Sequence, residues 1–319
     1  MDKVNIAEID KRINDYDVFI CSTSFENRCL QIANYLDIEQ FHTILVCHFN
    51  DNYPESNANL SIFQQKFGSK CKVLSLEKDS PLYNYDQIYD HLSKISFKRV
   101  LLDISTFTRE MFLIIIKLFN QELFRDKILT LVYNPSDKYS NVPKDDIDNL
   151  WLSKGVKEIR TVIGYAGDLS PIKDTLLIVL VGFEAERSQV LIDNFEAENL
   201  YIGKAPKEES ANAEIANIND INFQKLLRNN PHAHTFEFSC KDLNFSIEKI
   251  NAIIEPNLES YNIIISPMCN KLSTLAAAAV TYKHSEVQIC YASANLYNTI
   301  AYSNPINCVY IIDASELYN

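Results

Sequence analysis

Glycine is scarce in this chain, with six glycines in 319 residues. No G-x-G-x-x-G follows either of the apolar segments at residues 18–21 and 176–181, and G-x-x-x-x-G-K-[ST] is absent. These glycine-rich loops hold phosphates in dinucleotide-binding Rossmann enzymes and in P-loop NTPases. Both classes are therefore disfavoured. A phosphate site in this chain would have to use Ser and Thr hydroxyls, helix N-termini and side-chain cations.

Positive charge is also in short supply, because 30 basic side chains stand against 42 acidic ones and the net charge is −12. Nonspecific nucleic-acid affinity needs many Lys and Arg contacts to phosphates, so we expect no extended nucleic-acid surface. A small anionic ligand held by a few local cations is compatible with this charge. Residues 1–17 contain no signal-peptide hydrophobic segment, and no apolar run approaches the ~20 residues that span a bilayer. We expect a cytoplasmic protein without a membrane partner.

Cysteine and histidine give no metal signature. The eight cysteines show no C-x-x-C spacing, and most lie in apolar, strand-like segments. That pattern predicts small buried side chains in a reducing compartment. His232 and His234 form an H-x-H pair, but no second cluster of ligands lies nearby in the sequence. We therefore expect no metal site, and no motif predicts a cofactor.

The main positive feature is a long internal repeat. Two segments share an apolar strand followed by a Phe-Glu-x-Arg or Phe-Glu-x-x-Arg turn: residues 17–28 and 176–187. Phe25 precedes Tyr133 by 108 residues (133 − 25), and Phe183 precedes Tyr291 by the same distance (291 − 183). Each pair also encloses a buried strand that ends in a polar loop with a cation, at residues 100–109 and 263–271. Matched spacing of matched segments indicates two copies of one α/β unit.

Continuous Ile, Leu and Val runs without alternation are typical of strands buried on both faces. Because such runs alternate with helical patterns, the sequence predicts α/β architecture, with two tandem Rossmann-like parallel-sheet units related by internal duplication. The predicted parallel strands are residues 18–21, 43–47, 72–76, 99–104 and 128–133, then 176–181, 199–202, 233–238, 261–265 and 287–291. One further strand is expected to close each unit, at 156–163 and 306–312. The polar segment 134–151 predicts a loop or short helix, and a boundary within 164–174 gives units 1–165 and 166–319.

Ligands of open α/β sheets bind beyond the carboxyl ends of the strands, where the loops after the first and fourth strands lie. Each unit offers hydroxyls and two cations there, which suit a phosphate or a ribose hydroxyl. The candidate ligand-binding residues are Ser22, Ser24, Glu26, Arg28, Asp103, Ser105, Thr106, Arg109 and Tyr133 in the first unit, and Glu184, Arg187, Ser266, Asn270, Lys271 and Tyr291 in the second. We expect one composite site between the units, with Arg109 and Lys271 converging on it.

A structural interpretation stands beside this one. Ser, Thr and Asp at strand-to-helix junctions cap helices, and a Glu-x-Arg pair can be an ion pair that fixes the turn. In that case Glu26 and Glu184 would be ionised and occupied by their arginines. The tyrosines are equally open, because Tyr133 and Tyr139, like Tyr291 and Tyr297, could stack on nucleobases or belong to the core.

The loop Asp103-Ile-Ser-Thr-Phe-Thr-Arg109 and the loop Ser266-Pro-Met-Cys-Asn-Lys271, the latter followed by an Ala-rich segment, resemble the fourth-strand loop of CRISPR-associated Rossmann-fold (CARF) domains. That family senses cyclic oligoadenylates in a pocket across two such domains. The resemblance implies that Arg109 and Lys271 hold ligand phosphates. Both loops lack the glycines of the family, and no nuclease or DNA-binding effector domain accompanies them in this chain.

A second resemblance competes. Residues 16–28 are similar to the opening strand and loop of TIR domains, whose enzymatic members cleave NAD with a glutamate on a later helix. That resemblance implies a catalytic role for Glu110, although the second half of the chain does not share it.

The sequence thus favours recognition of a nucleotide or cyclic-nucleotide signal, in prokaryotic antiviral defence, with a separate effector protein as a further partner. Two alternatives stay open. One is a nucleotide- or NAD-processing hydrolase, and the other is a partner-binding scaffold without a ligand.

Overall fold

A computed structural model shows two compact α/β units. It describes residues 1–51, 53–139, 151–299 and 303–318, without the side chains of 137–139 and 303–304. The first unit comprises Met1–Ser136 with Ser303–Glu316, and the second comprises Asp137–Tyr302 with Leu317–Asn319. Among the described residues, no helix combines the length and the apolar character needed to cross a membrane.

The first unit is built on a seven-stranded sheet. Its elements in chain order are β1 Asp2–Asn5, α1 Ile9–Arg12, β2 Val18–Ser22, α2 Gln31–Tyr35, β3 Thr43–Phe49, α3 Pro54–Phe67, β4 Cys71–Leu76, α4 Pro81–Leu92, β5 Arg99–Asp103, α5 Arg109–Phe119 and β6 Ile128–Tyr133. Short strands β7 Ser136–Tyr139, then β14 Ser303–Pro305 and β15 Cys308–Asp313, come later in the chain. The order across the sheet is β1-β15-β6-β5-β2-β3-β4. Neighbours from β6 to β4 are parallel, whereas β15 is antiparallel to both β6 and β1.

The second unit repeats this plan on a six-stranded sheet. Its elements are β8 Ser153–Thr161, β9 Asp174–Leu180, α6 Ala185–Phe195, β10 Asn199–Lys204, α7 Ala213–Asn229, β11 His234–Glu237, α8 Leu243–Ile254, β12 Tyr261–Pro267, α9 Lys271–Lys283 and β13 Gln288–Tyr297. The order is β11-β10-β9-β12-β13-β8. Only β8 is antiparallel to its neighbour in this sheet as the structure describes it.

Central strands explain the continuous apolar runs in the sequence. Every residue of β2 is buried, and so are the last five residues of β9. Helices cover both faces of such a sheet, so a central strand has no face left for polar side chains. α9 is equally central, since Leu272 to Thr281 are all buried. The small alanines of that helix allow it to pack closely against the sheet.

The two units share one strand order. When the parallel strands of each unit are numbered one to five in chain order, their order across the sheet is three, two, one, four, five. An antiparallel strand lies beside the fifth strand in both sheets. This confirms the predicted α/β fold with two Rossmann-like units, and all ten predicted parallel strands are present. The sequence did not predict β1, which lies at the edge of the first sheet.

The closing strands differ from the prediction. The strand expected to close the first unit is β8, and it pairs with β13 in the second sheet. The strand expected to close the second unit is β15, and it pairs with β6 in the first sheet. The units therefore exchange their last strands and are not the consecutive segments 1–165 and 166–319. Within the predicted loop 134–151, residues 136–139 form a strand, and residues 140–150 lie outside the described residues.

Candidate functional site

The order of strands reverses between the first and fourth strand of each sheet, which are β2 and β5 in the first unit and β9 and β12 in the second. The loops that follow these strands carry most of the predicted site residues. At such a point the loops on the two sides diverge, which leaves the crevice where ligands of this architecture usually bind. The contacts of each loop show whether its polar groups are available to a ligand.

In the first unit, the Phe-Glu-x-Arg turn is closed by a buried ion pair. Arg28 Nε donates to Glu26 Oε2 at 3.1 Å, and the side chains are only 9% and 6% exposed. Arg28 Nη1 also donates to the backbone carbonyl of Asn134 at 2.7 Å. The guanidinium thus fastens the first loop to the end of β6. Glu26 and Arg28 hold the loop in place, as the structural interpretation predicted.

The hydroxyls of the same edge are engaged inside the protein. Glu26 N donates to Ser24 Oγ at 3.2 Å, and Thr106 Oγ1 donates to the carbonyl of Ser22 at 3.1 Å. Ser105 Oγ accepts from the backbone N–H of Asn134 at 2.9 Å. These bonds tie the loops after β2, β5 and β6 to one another.

The remaining candidates of the first unit lie at the end of β5, at the start of α5 and at the end of β6. Asp103 Oδ1 accepts from Ser105 N at 2.9 Å. Arg109 and Glu110 are the first two residues of α5, and Glu110 is 5% exposed. The ring of Tyr133 is 5% exposed and stacks on Tyr310, with centroids 6.2 Å apart and planes 20° apart. Tyr133 is thus a core residue, while the side chain of Tyr139 lies outside the described residues.

The second unit contains the equivalent ion pair, built more deeply. Arg187 Nη1 donates to Glu184 Oε2 at 2.7 Å and to Ser153 Oγ at 2.6 Å, and its side chain is 3% exposed. Glu184 also accepts from the backbone N–H and hydroxyl of Ser153. Burial, the largest single effect, lowers the pKa of Arg187, but the Glu184 carboxylate and the hydroxyls of Tyr291 and Tyr297 together outweigh it, so that pKa is raised.

One contact shows how closely the units correspond. Arg187 Nη2 donates to the backbone carbonyl of Ala292, as Arg28 does to that of Asn134. Ala292 follows Asn134 by 158 positions (292 − 134), which is also the offset of Phe183 from Phe25 (183 − 25). The equivalent arginine therefore fastens the equivalent loop to the fifth parallel strand of each unit, within β13 in the second unit and just after β6 in the first, as expected of the predicted duplication.

In the second unit, the first and fourth loops touch through their backbones. A Cβ at Gly182 would lie 2.5 Å from the carbonyl oxygen of Met268 and 2.7 Å from Cys269 Cα. Only glycine permits this approach. Ser266 Oγ lies 3.4 Å from the carbonyl of Cys290, to which it donates. The loops after β9 and β12 are thus in direct backbone contact at Gly182.

The other candidates of this edge belong to α9 and β13. Asn270 Oδ1 accepts from Ser273 N at 2.9 Å and caps α9, and Lys271 is the first residue of that helix. Tyr291 is 7% exposed. That Arg109 and Lys271 converge on one ligand stays a prediction.

A groove of about 880 Å³ opens beside the Phe183-Glu184 turn of the second unit. It lies between α6 and α7 and reaches the start of β8. Its walls combine aromatic, aliphatic, amide and charged side chains, namely Trp151, Ser153, Lys154, Phe183, Glu184, Ala185, Glu186, Gln189, Val190, Ala213, Glu214, Asn217, Ile218, Ile221, Asn222, Lys225, Leu226 and Asn229. Of these residues, Glu184 is one of the candidate ligand-binding residues predicted from the sequence, and Glu186 lies in the same predicted loop.

The floor of the groove is fixed by the buried cluster. Asn222 Nδ2 donates to the carbonyl of Phe183, which ties α7 to the turn, and Arg187 neutralises Glu184 from below. The charged groups at the rim are two exposed lysines and two exposed glutamates, Lys154, Lys225, Glu186 and Glu214. The lining of the groove therefore mixes aromatic and aliphatic side chains with amides and with charges of both signs.

Side chains that could bind a metal do not form a metal site in the described part of the chain. Within residues 1–51, 53–139, 151–299 and 303–318, no three His, Cys, Asp or Glu side chains come together as a metal site would require. His234, one half of the H-x-H pair, stacks on Tyr201 with ring centroids 4.9 Å apart.

No protein-family model matches the chain, and no curated protein matches it. Among solved structures, spermidine synthase in complex with the transition state analogue AdoDATO aligns with a TM-score of 0.23 and 11% identity, over 41% of each chain. Phosphoethanolamine N-methyltransferase 1 of Haemonchus contortus, in complex with phosphoethanolamine and S-adenosylhomocysteine, aligns with a TM-score of 0.24 and 9% identity, over 82% of this chain and 72% of its own. A universal stress protein from Archaeoglobus fulgidus aligns with a TM-score of 0.23 and 9% identity, over 87% of this chain and 96% of its own. Similarity this low carries no argument about function.

Proposed function

We propose that this protein recognises a nucleotide, and that the groove between α6 and α7 of the second unit binds it. The resemblance of the fourth-strand loops to CARF domains extends the proposal to a signal-sensing role in prokaryotic antiviral defence, with a separate effector protein as partner. The groove itself is the observation that supports ligand binding.

The dimensions and lining of the groove fit a nucleotide. Ligand sites are concave, measure roughly 300–1,000 Å³ and combine an apolar lining with a few polar groups, and this groove has a volume of about 880 Å³. Trp151 and Phe183 line the groove, and any nucleobase can stack on an aromatic ring. Asn217 offers an amide that both donates and accepts hydrogen bonds, as the edges of bases do.

The charges around the groove limit how many negative charges the ligand can carry. Lys154 and Lys225 are available at the rim for a phosphate, but Glu186 and Glu214 lie at the same rim. Two cations balanced by two carboxylates favour a ligand with few negative charges over a triphosphate. A nucleoside monophosphate meets this condition.

Trp151 supplies the test, because it is the only tryptophan of the chain and it lines the groove. Titration with adenosine monophosphate should change its fluorescence in a saturable way, and adenosine, inorganic phosphate and a cyclic adenylate define which part of the ligand is bound. We expect Lys225→Ala to weaken adenosine monophosphate binding about tenfold, as the loss of one phosphate contact does.

Lys207→Ala is the matched control, since Lys207 is an exposed lysine of the same unit outside the groove. Absence of any saturable response to all four probes would refute the proposal. Equal weakening by Lys207→Ala would show that only general charge is involved. Chromatography of the incubated mixtures distinguishes a sensor from a hydrolase, because product formation abolished by Glu110→Gln would favour the enzyme alternative.

A further inference from the structure

Two cysteine side chains meet at the carboxyl edge of the second sheet. Cys240 Sγ and Cys269 Sγ are 3.5 Å apart, and the residues are 29 positions apart in the sequence. Cys240 is 4% exposed and Cys269 is 9% exposed. Both are reduced. The first follows β11 and the second follows β12, so the two sulfurs connect separate loops.

The surrounding hydrogen bonds hold both backbones in place. Asn270 Nδ2 donates to the carbonyl of Cys240 at 2.8 Å, and Cys240 N donates to the carbonyl of Glu209 at 2.8 Å. Asn270 also caps α9 through Ser273 N. Each sulfur is therefore presented to the other by a fixed loop. A disulfide requires a separation of about 2.05 Å, so the sulfurs need to approach by roughly 1.5 Å.

The environments of the two thiols differ. Cys269 immediately precedes Asn270, the N-cap of the 13-residue helix α9, and the positive end of a helix stabilises a thiolate. Cys240 lies deeper, and its hydrogen bond with Cys269, together with burial, raises its pKa well above the ordinary value. Cys269 is thus the better nucleophile and Cys240 the better second thiol.

We propose that Cys240 and Cys269 form a reversible disulfide when the protein meets a hydroperoxide. The Cys269 thiolate attacks one peroxide oxygen, the O–O bond breaks, and sulfenic acid and water (or an alcohol) result once a proton is added. The Cys240 sulfur then attacks the sulfenic sulfur, loses its proton and expels water as the S–S bond forms. The two sulfurs together lose two electrons, which reduce the peroxide.

This disulfide would constrain two loops of the second unit. It would join the loop after β11 to the loop before α9, next to Asn270 and Lys271 at the edge where ligands of such sheets bind. Cys269 Cα also packs directly on Gly182, the residue before Phe183. Oxidation therefore acts on the same loops that the reduced protein holds by hydrogen bonds.

The test uses the intact folded protein. After exposure to hydrogen peroxide, the protein is denatured in an alkylating agent and digested, and the peptides are identified by mass spectrometry. We expect a linked pair of peptides containing Cys240 and Cys269, lighter by two hydrogen atoms than the two reduced peptides and separated again by dithiothreitol. In Cys240→Ser, dimedone should label Cys269 as the trapped sulfenic acid.

Cys47 is the internal control, because it is fully buried in β3 of the other unit and burial raises the pKa of its thiol. It should stay alkylated throughout. The proposal is wrong if Cys240 and Cys269 are both alkylated after a peroxide dose that fully oxidises a free cysteine peptide. It is also wrong if the linked pairs join either cysteine to Cys47 or to a second molecule. Peptide mapping of the unmodified sequence decides this even if Cys240→Ser does not fold.

Discussion

The buried guanidinium of Arg187 offers the sharpest test of how the Phe-Glu-x-x-Arg turn is stabilised. Arg187→Met keeps the aliphatic stem and removes the hydrogen bonds to Glu184, Ser153 and the carbonyl of Ala292. The Glu184 carboxylate, whose side chain is 13% exposed, would remain without its cation. Breaking a buried ion pair by removing one partner costs about 3–5 kcal/mol, because an uncompensated charge stays in the interior.

We therefore expect Arg187→Met to lower the free energy of unfolding of the second unit by about 3–5 kcal/mol. Glu184→Gln combined with Arg187→Met should cost less than Arg187→Met alone, since no net charge is then left buried. The coupling between directly contacting residues is typically about 0.5–3 kcal/mol. Urea unfolding followed by the fluorescence of Trp151, which lies in this unit, measures both variants.

Arg228→Met is the control, since Arg228 is exposed on α7, and surface changes of this kind stay within about 0.5 kcal/mol. A loss below about 1 kcal/mol in Arg187→Met, or a double variant less stable than the single one, would contradict the explanation. Either result would mean that hydrogen bonds other than those of the guanidinium hold the turn.

Two further predictions concern stability. Burial lowers the pKa of His91 and His284 below the ordinary value of 6.5, so the unfolded chain takes up protons more readily than the folded chain as pH falls. Calorimetry should therefore show the melting temperature decreasing from about pH 7.5 to pH 5. The His91→Gln, His284→Gln double variant should show a flatter profile, and an unchanged slope in that variant would contradict the prediction. Gly182→Ala places a Cβ 2.5 Å from the carbonyl oxygen of Met268 and should cost roughly 1–3 kcal/mol as overpacking does; an unshifted urea midpoint would show that the two loops separate freely.

Much of the fold was predictable because local pattern and tertiary role agree. β2 reads as continuous apolar sequence because both its faces are covered, and all five of its residues are buried. The ion pair between Glu26 and Arg28 was also predictable, since both partners lie in one turn. The other contacts of these arginines were not, because Arg187 meets Ser153 and Ala292 from 34 and 105 positions away.

The groove could not be predicted for a related reason. The helical pattern of the sequence is clear only over residues 220–229, whereas α7 already begins at Ala213. The added turns lack a continuous apolar stripe, and they provide Glu214, Asn217 and Ile218 to the groove. The signal that was available is Asn212, whose Oδ1 accepts from Ile215 N at 2.9 Å and caps the helix. The sequence also could not show which sheet each closing strand joins, because the edge of either sheet can pair with an antiparallel strand.

The exchange of closing strands also determines the order in which the units can be completed during synthesis. The second unit has all six strands of its sheet, β8 to β13, once residue 297 has left the ribosome. The first unit does not, because β15 lies between β6 and β1. Val4 pairs with Val309, a residue made 305 positions later (309 − 4). Strand β1 therefore remains without its sheet partner until β15 is made, and the unit that is begun first is completed after the second unit.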